Sequence, residues 1–172
     1  MPKTKLNLWF LCLTGSILFF SCGPYSFNPG GSGSKTIAVL LFENETTQFG
    51  VREALTDSVS SRFVRDNTLK IAPQGTADLV LSGRVMRYER AAYTFDDKQS
   101  VKQYIVRIWV KASVINQKEK KTVWEEEQME GFGIYEAVDV NGDGKIEIEE
   151  DGKQRAVAKL AEDIVNRTVK NW

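Results

Sequence analysis

The sequence VKQYIVRIWVKASVIN at residues 101–116 decides the fold. From Tyr104 to Val114 every second side chain is apolar or aromatic, whereas the positions between them carry Arg107, Trp109 and Lys111. Successive side chains of a β-strand point to opposite faces of its sheet. The alternation therefore predicts a strand with one face turned toward a core and the other face outside that core.

Three more strands and two helices are predicted on either side of this strand. Residues 36–42 form a continuous apolar run, which is typical of a strand buried on both faces. Apolar and polar side chains alternate over residues 77–90, and a further strand is predicted over residues 122–129, after a charged turn. Apolar residues recur at helical spacing within residues 48–65 and 154–169, which predicts two amphipathic helices. The expected core positions are Val51, Leu55, Val59 and Phe63 in the first helix, and Val157, Leu160, Ala161, Ile164, Val165 and Thr168 in the second.

The predicted order of elements is β-α-β-β-β-α, which is an α+β fold. Two amphipathic helices need one sheet face to cover, so the simplest architecture is a two-layer sandwich. Both helices then pack on one face of a four-stranded mixed sheet. The other face of that sheet is left open, and its composition is informative about function.

The side chains expected on this open face mix cations with large aromatic groups. If residues 77–90 and 101–116 pair as a hairpin, alternation brings together Arg84, Tyr88, Arg107, Trp109 and Lys111, with Met86 and Arg90 beside them. Such a surface suits an amphipathic anion, because guanidinium groups bind phosphate and aromatic rings cover alkyl chains. It also suits a protein partner, and it is compatible with an ordinary solvated sheet face. A register error of one residue would turn every one of these side chains over.

The N-terminus has the features of a secretory signal. Lys3 and Lys5 precede an apolar run over residues 8–20, and the small Ser21 precedes Cys22. The run is shorter than the roughly 20 residues that a membrane-spanning helix needs. We expect residues 1–21 to be removed and Cys22 to carry a covalent lipid (palmitate among its acyl chains), although Phe19 stands where leucine is commoner. An ordinary signal peptide that contains a cysteine is the alternative.

Beyond the signal, residues 22–34 contain the glycine- and serine-rich stretch NPGGSGS, which predicts a flexible tether, and residues 35–172 form one domain. The chain has 0 histidines, and its 2 cysteines are Cys12 in the signal and Cys22. No thiol or imidazole remains for catalysis, so we expect no enzyme. Removing Lys3 and Lys5 from the 23 basic residues leaves 21 against 23 acidic ones, a net charge of −2, which gives no sign of nucleic-acid binding.

Several of these segments, in order, resemble the LptE family of lipopolysaccharide-assembly lipoproteins. They are residues 22–27 (CGPYSF), 37–46 (IAVLLFENET), 52–56 (REALT), 77–85 (ADLVLSGRV) and 104–110 (YIVRIWV). The resemblance implies a non-enzymatic lipoprotein on the periplasmic side of the outer membrane. Its partners would be lipopolysaccharide and the LptD β-barrel, which it plugs and supports. Lipoproteins of the curli-secretion and peptidoglycan-synthase-activator type share two of these motifs and remain the alternative; the aromatic Tyr25 and Phe27 close to Cys22 favour LptE.

One segment departs from that family and resembles an EF-hand calcium loop. In residues 139–150 (DVNGDGKIEIEE) every loop position that binds Ca²⁺ is filled, and Gly144 stands at the sixth position. The expected ligands are Asp139, Asn141, Asp143, the carbonyl of Lys145, Glu147 and Glu150. Residues 131–138 do not have a helical pattern, so we expect a loop-then-helix half-site with a structural ion. The alternative is a polar turn followed by an acidic start of the last helix.

Overall fold

The computed structural model describes residues 35–139, 144 and 146–171. The predicted signal, Cys22 and the tether lie outside the described residues, as do Asn141, Asp143 and Lys145 of the predicted calcium loop. The strands are β1 (Thr36–Val39), β2 (Glu43–Asn44), β3 (Lys70–Ile71), β4 (Leu79–Phe95), β5 (Val101–Asn116) and β6 (Lys121–Glu136). The helices are α1 (Val51–Asp66) and α2 (Glu149–Lys170).

The strands form one mixed sheet in the order β3-β1-β4-β5-β6, and β2 also pairs with β4. β1 runs parallel to β3 and β4, whereas β4, β5 and β6 are joined by antiparallel hairpins. Both helices pack on the same face, where an ion pair of 3.1 Å between Arg62 and Glu162 links them. The predicted α+β sandwich is therefore confirmed, with two further short strands, β2 and β3, in its sheet.

The core lies between the helices and the sheet face that the alternation of β5 predicted. The expected inward side chains of β5 from Val106 to Val114 are buried, and so are all the predicted core positions of both helices. β5 has the predicted bounds, Val101–Asn116. Within the described part of the chain, no helix is both long enough and apolar enough to cross a membrane.

All the predicted elements except β5 differ in their bounds from those in the structure, and α1 begins at Val51 rather than at residue 48. The run at residues 36–42 is interrupted after Val39, because Val39 pairs with Leu81 whereas Glu43 pairs with Arg84, so one residue is inserted in this strand. β4 and β6 extend several residues beyond the predicted ends. α2 begins at Glu149 rather than at residue 154, and its first turn is closed by the carboxylate of Asp151, which accepts the N–H of Ile148 at 2.8 Å.

Glycines allow α2 to lie directly on β6. A Cβ added to Gly133 would be 2.1 Å from the carbonyl oxygen of Gly152 in the helix, and one added to Gly131 would be 2.5 Å from the carbonyl oxygen of Ala156. Ordinary contacts of a Cβ begin near 3.4 Å. Helix and strand are therefore closer together here than any side chain would permit.

Asp78, just before β4, links β1 to the turn between β5 and β6. Its carboxylate accepts the backbone N–H of Thr36 at 3.0 Å and the hydroxyl of Thr36 at 2.9 Å, and it forms an ion pair of 2.6 Å with Lys118. The ammonium group of Lys118, followed by the two donors of Thr36, lowers the pKa of Asp78 from 3.8 to about 2. The carboxylate therefore stays charged down to strongly acidic pH.

Candidate functional site

The open face of the sheet is the surface opposite the helices. Its centre is a cross-strand pair of like charges, since Arg84 on β4 lies directly opposite Lys111 on β5. Beside them the hydroxyls of Ser82 and Ser113 are hydrogen-bonded to each other at 3.2 Å. Arg107 and Trp109 lie farther along β5 on the same face. The structure thus places four of the five predicted residues of this face together.

Tyr88, the fifth residue, does not lie on the open face, which corrects the sequence prediction. The register of β4 against β5 shifts between Val85 and Arg87, so Met86 is an extra residue in β4. Such a bulge reverses the alternation beyond it. Tyr88 therefore turns to the helix side, where its hydroxyl donates to the carboxylate of Glu149 in α2 at 2.7 Å. Burial, together with the nearby carboxylate of Glu149, raises the pKa of Tyr88.

Arg90, expected beside Tyr88 on the open face, turns to the helix side as well. Its guanidinium group lies 3.7 Å from the ring centre of Tyr104 and donates to the hydroxyl of Tyr135 at 2.5 Å. Those two rings are stacked with their centres 5.5 Å apart. Together with an ion pair of 3.5 Å to Glu149, these contacts join β4, β5, β6 and the start of α2. Arg90 is therefore part of the packing under the helix layer.

Arg87 takes a place on the open face that the sequence pattern did not indicate. Arg87 pairs with Trp109 across the strands, and its guanidinium carbon lies 3.5 Å above the centre of the indole ring. This cation–π contact covers the ring, and Trp109 is only 6% exposed although it lies on the open side of the sheet. The aromatic group predicted to contact a ligand is thus already covered.

Every cation of the open face has a carboxylate partner. Arg84 contacts Glu43 at 3.2 Å and Glu45 at 2.7 Å, and Lys111 contacts Glu125 at 3.0 Å and Glu127 at 2.6 Å. The other two pairs join Arg107 to Glu130 at 3.1 Å and Arg87 to Glu89 at 3.8 Å. Four cations thus stand against six carboxylates, a difference of −2. The face is therefore not the basic surface that the sequence pattern suggested.

A mostly apolar groove lies on the same face toward the far end of β5, with the Arg107–Glu130 ion pair in its lining. It encloses about 350 Å³, and Tyr93 and Phe132 at its rim are 48% and 49% exposed. The groove is lined by Tyr93, Ile105, Arg107, Glu130, Phe132 and Ile134. A groove of this size accommodates a large apolar side chain. The open face thus consists of a charged half around Arg84 and Lys111 and an apolar half around Phe132.

The described residues of the predicted calcium loop are held by protein groups. Gly144 has a φ of 79°, and its N–H donates to the carboxylate of Asp139 at 2.8 Å. Glu147 accepts the backbone N–H of Glu136 at 2.9 Å and forms an ion pair with Arg155. Arg155, and after it the N–H of Glu136, lowers the pKa of Glu147 to about 2.

Glu150, the last expected ligand, lies in the first turn of α2 and contacts the buried Lys153 at 2.5 Å. Among residues 35–139, 144 and 146–171, no three acidic side chains are grouped as a metal ion requires. Three of the six expected ligands fall outside those residues, so calcium binding remains a prediction.

A comparison with protein-family models finds a match to the LptE model, described as lipopolysaccharide-assembly, over residues 34–168. This range includes the sheet, α1, the predicted calcium loop and all but the last two residues of α2. A search of curated proteins gives no match.

Several solved structures share the fold. A hypothetical protein from Chlamydia trachomatis has a TM-score of 0.57 at 10% identity, over 81% of this chain and 98% of that one. A protein from Xanthomonas campestris has a TM-score of 0.55 at 15% identity, over 84% and 90% of the two chains. The uncharacterized lipoprotein B of Nitrosomonas europaea has a TM-score of 0.52 at 8% identity, over 80% and 83%. At such low identity these similarities concern the fold alone.

Proposed function

Because this chain belongs to the LptE family of lipopolysaccharide-assembly proteins, we propose that it plugs and supports an LptD-type β-barrel in the outer membrane. The observation that carries the proposal is the family match over residues 34–168, which is nearly the whole of the described domain. The family is non-enzymatic, in accord with the lack of histidine in the sequence. The role is that of a structural and binding subunit.

The partner surface in this proposal is the open face of the sheet. Arg84, Arg107, Trp109 and Lys111 lie on it, and Arg87 takes the place expected for Tyr88. In favour of a protein partner is the combination of paired arginine side chains with a groove that exposes Tyr93 and Phe132, since aromatic residues and arginine are enriched at protein interfaces. The excess of carboxylates disfavours lipopolysaccharide phosphate as the direct ligand of this face.

Attachment to the membrane is proposed through a lipid on Cys22, after removal of residues 1–21. Several acyl chains on one cysteine suffice for stable anchoring, whereas a single chain binds a membrane only marginally. Mass spectrometry of the mature protein tests this. We expect an N-terminal acylated cysteine, and a free N-terminus at another residue would refute the proposal.

A structural calcium ion in the loop at residues 139–150 is a second proposal. Its support is the left-handed backbone of Gly144 and the hydrogen bond from this glycine to Asp139, since the loop requires a sharp turn at its sixth position. Glu147 would have to share its carboxylate between the ion and Arg155. Weak affinity is expected, of the order of 10⁻⁴ to 10⁻³ M as in extracellular modules.

The experiment that tests the proposed role is depletion of the lipoprotein in the source bacterium. We expect less correctly assembled LptD-type barrel and less lipopolysaccharide at the cell surface, because the barrel would lose its plug. Complementation with the wild-type gene should restore both. Normal levels of barrel and of surface lipopolysaccharide after depletion would refute the role.

A further inference from the structure

We propose that the open face docks a basic protein surface, with two arginine or lysine side chains about 14 Å apart and an apolar side chain beyond them. The inference rests on the proposed function, because it identifies the surface as part of the inner wall of the LptD-type barrel. It assigns the chemistry of that surface from the charges and the groove of this chain.

The charges of the open face are ordered across the sheet, with cations in the middle and carboxylates on both sides. Arg84 and Lys111 occupy the two central strands, and the carboxylates stand outside them: Glu43 beside Arg84, and Glu127 beside Lys111. Each central cation is shared by two carboxylates, so each flank retains one uncompensated negative charge. An incoming cation therefore meets an attractive carboxylate pair at either flank.

The carboxylates of the open face are more exposed than its cations. The side chains of Glu43 and Glu127 are 69% and 73% exposed, whereas those of Arg84 and Lys111 are 45% and 33% exposed. A partner approaching the face thus meets the carboxylates before the cations. Lysine and arginine side chains of a partner would be attracted to these carboxylates, whereas a phosphate group would be repelled by them.

The spacing of the two flanks follows from the sheet. Glu43 pairs with Arg84, Arg84 pairs with Lys111, and Glu127 lies next to Lys111 on β6. Three steps between neighbouring strands of about 4.8 Å each separate the flanks by about 14 Å. Two basic residues four positions apart along one extended strand of the partner match this distance.

The apolar groove supplies the third contact and the orientation. Phe132 at its rim pairs with Arg107, which is four residues from Lys111 along β5, or about 13 Å. An apolar side chain of the partner that enters the groove would cover Phe132 and Tyr93, the two exposed aromatic groups of this face. A second copy of the chain fits less well, because two faces with a charge difference of −2 would repel each other.

The test uses the full-length lipoprotein and the LptD-type barrel from the same bacterium, both in detergent. The double variant Glu43→Gln and Glu127→Gln removes one charge from each flank, and Asp57→Asn with Glu119→Gln removes two charges elsewhere on the surface. Melting curves verify that both variants fold. We expect the first variant to bind the barrel about tenfold more weakly at low salt, since exposed ion pairs contribute modestly.

Salt provides the second readout, because exposed charges are screened at high ionic strength. The tenfold difference should shrink to within about twofold in roughly 0.5 M NaCl, and the Asp57/Glu119 variant should bind like the wild type throughout. Phe132→Ser should weaken binding at both salt concentrations, because its contact is apolar.

Wild-type binding together with undiminished binding of the Glu43/Glu127 variant would overturn the basic-partner inference and leave the barrel role standing. Tighter binding by that variant would show that the docked surface is anionic and would overturn the inference as well. Failure of the wild type to bind the barrel would refute both the role and the inference.

Discussion

Replacing Gly133 by alanine places a methyl group inside the contact between β6 and α2. The added Cβ would lie 2.1 Å from the carbonyl oxygen of Gly152 and 2.6 Å from the Cβ of Arg155. Since ordinary Cβ contacts begin near 3.4 Å, the helix must retreat by about 1.3 Å, the difference between 3.4 and 2.1 Å. Both obstacles are backbone or backbone-adjacent atoms, so rotation of a side chain cannot relieve the clash.

Overpacking of this kind costs about 1–3 kcal/mol, and a backbone obstacle favours the upper end of that range. For a domain of this size a loss of about 3 kcal/mol lowers the melting temperature by roughly 10 °C. The assay is thermal unfolding followed by circular dichroism. Gly75→Ala is the matched control, because no atom lies within 4 Å of its added Cβ. If Gly133→Ala melted within about 2 °C of the Gly75→Ala control, the close packing of α2 on β6 would be wrong.

Three further predictions concern a charge, a ring contact and the loop. Lys118 lowers the pKa of Asp78 from its ordinary value of 3.8 to about 2. The ionised carboxylate of Asp78 therefore stabilises the fold fully above pH 3.8, and this stabilisation is lost as the pH falls toward 2. When the pH is lowered from 3.8 to 2, the melting temperature of the wild type should therefore fall more than that of Asp78→Asn. Equal decreases would contradict the contacts of Asp78 with Thr36 and Lys118. Arg87→Ala should uncover Trp109 and increase quenching of its fluorescence by acrylamide; unchanged quenching would mean that the guanidinium does not shield the ring. Calcium should raise the melting temperature of the wild type by an amount corresponding to at most about 2.7 kcal/mol at 100-fold excess over the dissociation constant, and chelator should reverse this. Glu150→Gln should abolish the effect, and a wild type indifferent to calcium, with no heat of binding, would refute the ion site.

Most of the fold could be predicted from the sequence because its patterns are long and regular. The period of two in β5 extends from Tyr104 to Val114, so the inward face of this strand was predicted correctly, and its bounds coincide with the predicted ones. The core positions of α1 and α2 were also predicted correctly, because their apolar residues recur at helical spacing over several turns. The two-residue strands β2 and β3 could not be predicted, because two residues establish no period.

The candidate site was predicted less completely because it depends on register. A single extra residue, Met86, turns over β4 from Arg87 to Ala92, and no residue type in that segment marks the bulge. Tyr88 and Arg87 are both compatible with either face of a half-buried strand, so alternation alone could not distinguish them. The pairing of each cation with carboxylates also depends on which strands are neighbours. The sequence therefore located the cations, but it could not show that neighbouring carboxylates neutralise them.

The close contact of α2 with β6 was also missed. Gly131, Gly133 and Gly152 carry no side chain, so they contribute nothing to a hydrophobic pattern. The alternating glycines of β6, on its helix-facing side, were the one signal in the sequence that could have indicated this contact.

The role as barrel partner is tested by affinity purification of the tagged full-length lipoprotein from detergent-solubilised outer membranes. We expect recovery of a large β-barrel of the LptD type in equal molar amount with the lipoprotein, as measured by quantitative mass spectrometry. Recovery of a peptidoglycan synthase or a curli-secretion component without such a barrel would show that the chain is not an LptD partner.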